Sequence, residues 1–73
     1  MNRFAIVIEE TALNYGAYVP DLPGCIATGA TVEEAERFLR EAIELHLRGM
    51  KDDGLPIPEP SSLVKYLDLE TRP

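Results

Sequence analysis

The segment Thr31 to Gly54, TVEEAERFLREAIELHLRGMKDDG, carries the strongest structural signal of the chain, because it lacks proline and repeats apolar side chains at the 3.6-residue period of a helix. The Thr31 hydroxyl can cap a helix N terminus, and Glu34 three residues later completes the sequence signature of a capping box. Gly54 suits the left-handed conformation in which many helices end. The segment therefore predicts one long helix from Val32 to about Asp53.

The apolar side of this helix is wider than packing on one sheet requires. At 100° per residue its apolar arc sweeps about 200°, whereas a stripe of roughly 100° covers one sheet. We expect the excess to face a second copy of the chain, with His46, Leu47 and Met50 on this oligomer or core face. The full arc comprises Val32, Ala35, Phe38, Leu39, Ala42, Ile43, Leu45, His46, Leu47 and Met50.

Upstream of the helix the residues favour strands and turns. The β-branched and aromatic content of Phe4–Glu9 and Tyr15–Val19, with loop residues Thr11–Asn14 between them, predicts a hairpin. Pro23-Gly24 fits the central positions of a type II turn, so the chain reverses there. The short apolar run Cys25–Thr28 then predicts a third strand.

Downstream, a Pro-rich connector, Leu55–Pro60, precedes a final predicted strand, Leu63–Leu67. The resulting order, β-β-β-α-β, is an α+β fold with one long helix packed on a small antiparallel sheet. We expect residues 1–73 to form a single domain.

Length and charge restrict the function further. The 73 residues carry a formal charge of -6, from 13 acidic against 7 basic residues, so the chain repels phosphate backbones and anionic membranes and suits a basic partner. The single cysteine excludes an intramolecular disulfide and is too little for a zinc cage, which favours self-association as the means of stabilising a small domain. No apolar run suits a signal peptide or a membrane span, so we expect a cytoplasmic protein.

Residues that could carry catalysis are few. His46 is the only histidine and Cys25 the only cysteine, and no spacing signature joins them as base and nucleophile. The acid pairs Glu9-Glu10 and Asp52-Asp53 make no ready metal cage, because neighbours on a strand point to opposite faces and neighbours on a helix diverge by 100°. We therefore expect no enzyme, no metal and no cofactor.

A partner surface is the more favoured interpretation. Its candidate residues combine aromatic or anionic character with positions in loops or at helix ends, where exposure is common. Basic residues interleaved with aromatic ones, the usual nucleic-acid footprint, are missing, so direct nucleic-acid binding is not expected. The candidate partner-binding residues are Tyr18, Asp21, Leu22, Asp52, Asp53 and Glu59.

Four segments together resemble the HicB family of antitoxins: Tyr15–Cys25, Gly29–Ala35, Glu41–Leu47 and Asp53–Pro60. Each segment alone is a generic turn, cap or helix, but their order and spacing are specific and cover nearly the whole chain. The resemblance implies a partial RNase H-like β-β-β-α-β domain that forms dimers, tetramers or higher assemblies. It also implies a partner of the HicA kind, a small basic ribonuclease resembling double-stranded-RNA-binding domains, whose catalytic histidine becomes inaccessible in the complex.

The resemblance makes an antitoxin that binds and silences such a toxin the leading hypothesis. Many HicB proteins carry a C-terminal DNA-binding module, which this 73-residue sequence has no room for, so we expect no such module here. Two other hypotheses stay open. One is an orphan HicB-like oligomerisation or protein-interaction domain without a toxin partner. The other is an RNase H-like or Cys/His enzyme, although the metal-binding acids of the RNase H superfamily cannot be placed on these strands.

Overall fold

The computed structural model describes residues 2–71, which form three strands followed by one helix. The elements are β1 (Val7–Glu10), β2 (Tyr15–Tyr18), β3 (Ile26–Gly29) and α1 (Val32–Asp52). The strands make one antiparallel sheet in the order β1-β2-β3. The predicted α+β class, with one long helix on a small antiparallel sheet, is confirmed, and the RNase H-like label is compatible with this arrangement.

Both ends of α1 are closed by hydrogen bonds that the sequence predicts. The Glu34 amide donates to Thr31 Oγ1 over 3.0 Å, while Glu34 Oε1 accepts from the Ala30 amide over 2.9 Å, one residue before the position that a regular capping box uses. At the other end Gly54 has a φ of 71° and its amide donates to the Lys51 carbonyl over 3.1 Å. The Leu55 amide donates to the Met50 carbonyl over 2.9 Å, which completes a Schellman motif.

The predicted hairpin and turn are also present. The Thr11 amide donates to the Asn14 carbonyl over 2.7 Å and closes the loop between β1 and β2. Gly24 has a φ of 84° and the Cys25 amide donates to the Leu22 carbonyl over 3.1 Å, as a type II turn requires. The first strand begins at Val7 rather than Phe4; if its register continued, Ala5 would lie opposite Pro20, which has no amide hydrogen to donate.

The core lies between α1 and one face of the sheet. Its fully buried residues are Ala17, Val19, Leu22, Cys25, Ala35 and Leu39. Helix and strand meet most closely at Gly29, where an added Cβ would lie 2.8 Å from the Glu34 carbonyl carbon and 2.9 Å from the Ala35 Cα. Only a glycine lets the backbones approach this closely.

The helix is longer than the sheet it covers. Its 21 residues span about 31 Å, at 1.5 Å per residue, whereas a four-residue strand spans about 13 Å. In its C-terminal half Ile43 and Leu47 still pack against the core cluster, whereas Leu45 is 67% exposed. Part of the apolar arc is thus open to solvent in the single chain. Among residues 2–71, no helix is both long and apolar enough to cross a membrane.

The predicted final strand is absent from the described part of the chain. Residues Leu63–Leu67 pair with no strand, and their apolar side chains are between 53% and 90% exposed. Pattern alone indicates that a segment can be a strand, but a strand forms only where an edge is present to accept its hydrogen bonds. In the single chain this segment meets no such edge.

Candidate partner-binding surface

The face of the sheet that α1 leaves uncovered carries a row of apolar side chains. Val7 is in register with Tyr18, and Tyr18 with Ile26, so these three side chains stand side by side on one face. Their chain neighbours face the helix, because successive residues of a strand point to opposite faces. Tyr18 is 40% exposed and Ile26 70% exposed. We call Val7, Tyr18 and Ile26 the apolar row.

A second candidate surface is the acidic end of α1. Asp52 closes the helix and Asp53 caps it, and both side chains are exposed. The aligned peptide dipoles of a helix add partial negative charge at its C-terminal end. Glu59, in the Pro-rich connector, is exposed as well. Asp52, Asp53 and Glu59, which we call the acidic group, are exposed carboxylates of the kind that suit a basic partner.

Asp21, one of the predicted partner-binding residues, makes contacts within the chain. Its carboxylate accepts four hydrogen bonds from two serines that lie about forty residues further along the chain. The Ser62 hydroxyl donates to Oδ1 over 2.7 Å, and the Ser61 and Ser62 amides each donate to Oδ2 over 3.0 Å. The Ser62 amide, the Ser62 hydroxyl and the Ser61 amide, in that order, lower the pKa of Asp21 from 3.8 to about 2. This clasp ties the start of the C-terminal segment to the turn after β2.

The clasp should open at low pH and in the Asp21→Asn variant. A carboxylate whose pKa is depressed by folding stabilises the folded form fully above its ordinary pKa of 3.8, and this contribution is lost as the pH falls toward about 2. Hydrogen exchange of the Ser61 and Ser62 amides measures the opening directly. We expect Asp21→Asn to accelerate it at pH 6, and Asp53→Asn, the matched control, to leave it unchanged. Equal exchange in the two variants would contradict the clasp.

The other predicted site residues divide between core and surface. The exposure expected of Leu22 is wrong: the side chain is only 1% exposed, because the turn that carries it folds inward under the helix. Leu22 therefore belongs to the core and leaves the candidate surface. His46, Leu47 and Met50 are half-buried, and Leu47 packs against the core cluster. Their contact with a second copy stays a prediction.

Sequence reasoning missed four residues of these surfaces. Val7 and Ile26 belong to the apolar row, and strand alternation alone could have assigned Val7 to the face away from the helix. The register that brings both beside Tyr18 depends on hairpin geometry, which alternation does not supply. Ser61 and Ser62 bind Asp21 across about forty residues, and no local pattern signals such a contact.

The candidate catalytic groups named from the sequence are a cysteine nucleophile and a metal site. Burial raises the pKa of the Cys25 thiol, which disfavours the thiolate that a nucleophile needs. Among residues 2–71, no group of three or more His, Cys, Asp or Glu side chains is placed to hold a metal ion.

Comparison with known proteins places the chain in a family. Residues 4–71 match the family model described as the HicB-like antitoxin of bacterial toxin–antitoxin systems. The match includes all four elements of the fold, the clasp and the C-terminal segment.

Relatives occur in phage and in bacteria. A 14.9 kDa protein of the rep-hol intergenic region of Haemophilus phage HP1 is 35% identical over 65 residues, which is 89% of this chain and 49% of the phage protein. The chain thus spans about half the length of that relative. A UPF0150 protein of Synechocystis is 34% identical over 68 residues, covering 93% of this chain and 86% of its own, and one of Helicobacter pylori is 47% identical over 49 residues, covering 67% and 68%.

A solved structure has the same fold. One chain from the structure of a HicA3 and HicB3 toxin–antitoxin complex superposes with a TM-score of 0.68 and 28% identity, over 81% of this chain and 70% of that one. The family match and this structural match agree with the architecture described above. The chain belongs to the HicB-like antitoxin family of bacterial toxin–antitoxin systems.

Proposed function

We propose that this chain is an antitoxin that binds a basic, RNA-cleaving toxin of the HicA kind and blocks it sterically. The observation that carries the proposal is the similarity of this fold to a chain from a HicA3 and HicB3 complex. The proposal assigns no covalent step to the chain, and it places the protein in the cytoplasm, where messenger RNA is cleaved.

The apolar row and the acidic group would contribute to binding in different ways. Hot spots of protein interfaces are enriched in tyrosine set among apolar neighbours, and Tyr18 lies between Val7 and Ile26 in the apolar row. The acidic group would draw in a basic partner over a distance and raise the association rate. A toxin held in this way would present its RNA-binding side to a protein of net charge -6, which repels RNA.

The proposal is tested by titrating this chain into an RNA-cleavage assay of a basic HicA-type protein. We expect cleavage to stop at a fixed ratio of subunits, with a complex of matching composition in native mass spectrometry. Undiminished cleavage with no complex would contradict the antitoxin function.

The Tyr18→Ala variant tests whether the apolar row lies in the interface with the toxin. Loss of a hot-spot tyrosine costs about 2 kcal/mol, so we expect the toxin to dissociate roughly thirtyfold faster with little change in association rate. Leu13→Ala is the matched control, because Leu13 is 94% exposed in the hairpin loop and lies outside the apolar row. Equal dissociation rates for the two variants would remove the apolar row from the interface.

One further function is favoured by a specific observation, the apolar side chains that project from α1 into solvent. Leu45 is 67% exposed and Phe38 38% exposed. An orphan domain that assembles with copies of itself, without a toxin, would use such a surface. Self-association combined with failure to bind the toxin would favour this alternative.

A further inference from the structure

Strand β3 lies at one end of the sheet and has a free backbone edge. It pairs only with β2. Within residues 2–71, no hydrogen bond other than those of the sheet involves residues 26–29. The segment Cys25–Ala30 carries no charge and no proline, so it lacks the devices that keep an exposed edge from pairing. The outward amide and carbonyl groups of β3 are therefore open to another strand.

Helix α1 lies over this edge rather than over the middle of the sheet. It contacts β3 most extensively, β2 less and β1 least. A cleft of about 370 Å³ separates one flank of the helix, at Glu36, Arg40 and Glu44, from the segment that leads into β1. The opposite flank of α1 therefore lies on the β3 side of the molecule.

Two apolar side chains lie on this opposite flank. At 100° per residue, Leu45 is about 180° from Glu36 around the helix axis. Phe38 is likewise about 160° from Arg40, whereas Leu39, midway between the two flanks, is fully buried in the core. Leu45 is 67% exposed and Phe38 38% exposed. We call Phe38 and Leu45 the apolar flank.

A strand added beside β3 would meet apolar side chains on both of its faces, because successive residues of a strand point to opposite faces. On the face away from the helix it would lie next to Ile26, which ends the apolar row and is 70% exposed. On the helix side it would lie below the apolar flank. Such a strand would continue the apolar row and cover the flank at the same time.

The charge at this place favours a basic occupant. Phe38, Leu45 and Asp52 recur every seven residues, which displaces each from the last by only about 20° around the helix. Asp52, a member of the acidic group, therefore continues the line of the apolar flank, at the end of α1 where the helix dipole adds partial negative charge. A second copy of this chain, with its own net charge of -6, would be repelled there.

We propose, on the basis of the toxin-binding function above, that an extended segment of the basic toxin adds as a strand to the β3 edge. Main-chain hydrogen bonds to β3 would hold the segment, and its alternate side chains would contact Ile26 on one face and the apolar flank on the other. The segment that fits has apolar residues at alternate positions and a lysine or arginine directed toward Asp52.

Amide hydrogen exchange tests the strand pairing. In the free chain, the amides of residues 26–29 that point away from β2 should exchange fast. With a basic HicA-type protein added, we expect these amides to slow at least about tenfold, as amides in a paired strand do. The amides of residues 4–6, before the other edge strand, are the matched control and should keep their rates.

Leu45→Lys tests the apolar flank. Lysine favours helix nearly as well as leucine does, so the helical circular dichroism should stay unchanged. We expect the toxin to bind at least about tenfold more weakly, because an ammonium group would replace an apolar contact against a basic partner. Leu13→Lys is the matched control: it makes the same change of charge at a side chain that is 94% exposed in the hairpin loop, and it should bind as the natural chain does.

The outcomes separate this inference from the antitoxin function itself. If the natural chain inhibits RNA cleavage but the β3 amides keep their rates in the complex, the toxin binds elsewhere, and the strand pairing is wrong while the antitoxin function stands. Equal affinities for Leu45→Lys and Leu13→Lys would remove the apolar flank from the interface. Slowing of the β3 amides with rising concentration of this chain alone would assign the edge to a second copy. A natural chain that neither binds nor inhibits the toxin would overturn both proposals.

Discussion

Gly29→Ala is expected to lower the free energy of unfolding by roughly 3 kcal/mol, the upper range for overpacking a core. An added Cβ would lie 2.8 Å from the Glu34 carbonyl carbon and 2.9 Å from the Ala35 Cα, and these are backbone atoms that cannot rotate away. A domain of this length has a total stability of about 4 to 11 kcal/mol. Urea denaturation followed by circular dichroism measures the loss.

Gly49→Ala is the matched control for this substitution. Gly49 lies inside α1 with nothing within 4 Å of an added Cβ, so the methyl group meets open space. Alanine in a helix interior is more favourable than glycine by about 0.5 to 1 kcal/mol, and Gly49→Ala should therefore be slightly more stable than the natural chain. Similar losses for the two variants would mean that the close approach of β3 and α1 does not hold this fold together.

Reversing the charges of Asp52 and Asp53 is expected to slow association with the toxin about tenfold at low ionic strength. Each Asp→Lys change adds two positive charges, so Asp52→Lys/Asp53→Lys moves the net charge from -6 to -2. Both side chains are exposed, so the fold should tolerate the change. Stopped-flow association at several salt concentrations measures the effect, and the dependence on salt should become shallower.

The control for this experiment is Glu41→Lys/Glu44→Lys, which changes the net charge equally. Both glutamates are exposed near the middle of α1, away from the acidic end of the helix. A smaller loss of rate in the control would assign steering to Asp52 and Asp53 in particular. Equal losses would mean that only the total charge matters, and unchanged rates in both would remove the acidic end from the interaction.

Much of the fold could be predicted from local patterns. The helix, its cap at Thr31, its end at Gly54 and the turn at Gly24 each depend on residues within about five positions of one another. Local hydrogen bonds and backbone preferences determine such features, so they are legible in the sequence. The resemblance to the HicB family likewise depends on the order of short segments, and the family match over residues 4–71 confirms it.

Contacts between distant residues could not be predicted in this way. The helix, the hairpin, the turn and the negative charge each follow from neighbouring residues or from composition. The burial of Leu22, the hydrogen bonds from Ser61 and Ser62 to Asp21 and the lack of a strand partner for residues 63–67 emerge only in the folded chain. These outcomes depend on which surfaces the folded chain brings together, and burial and pairing are properties of those surfaces rather than of a residue's neighbours in sequence.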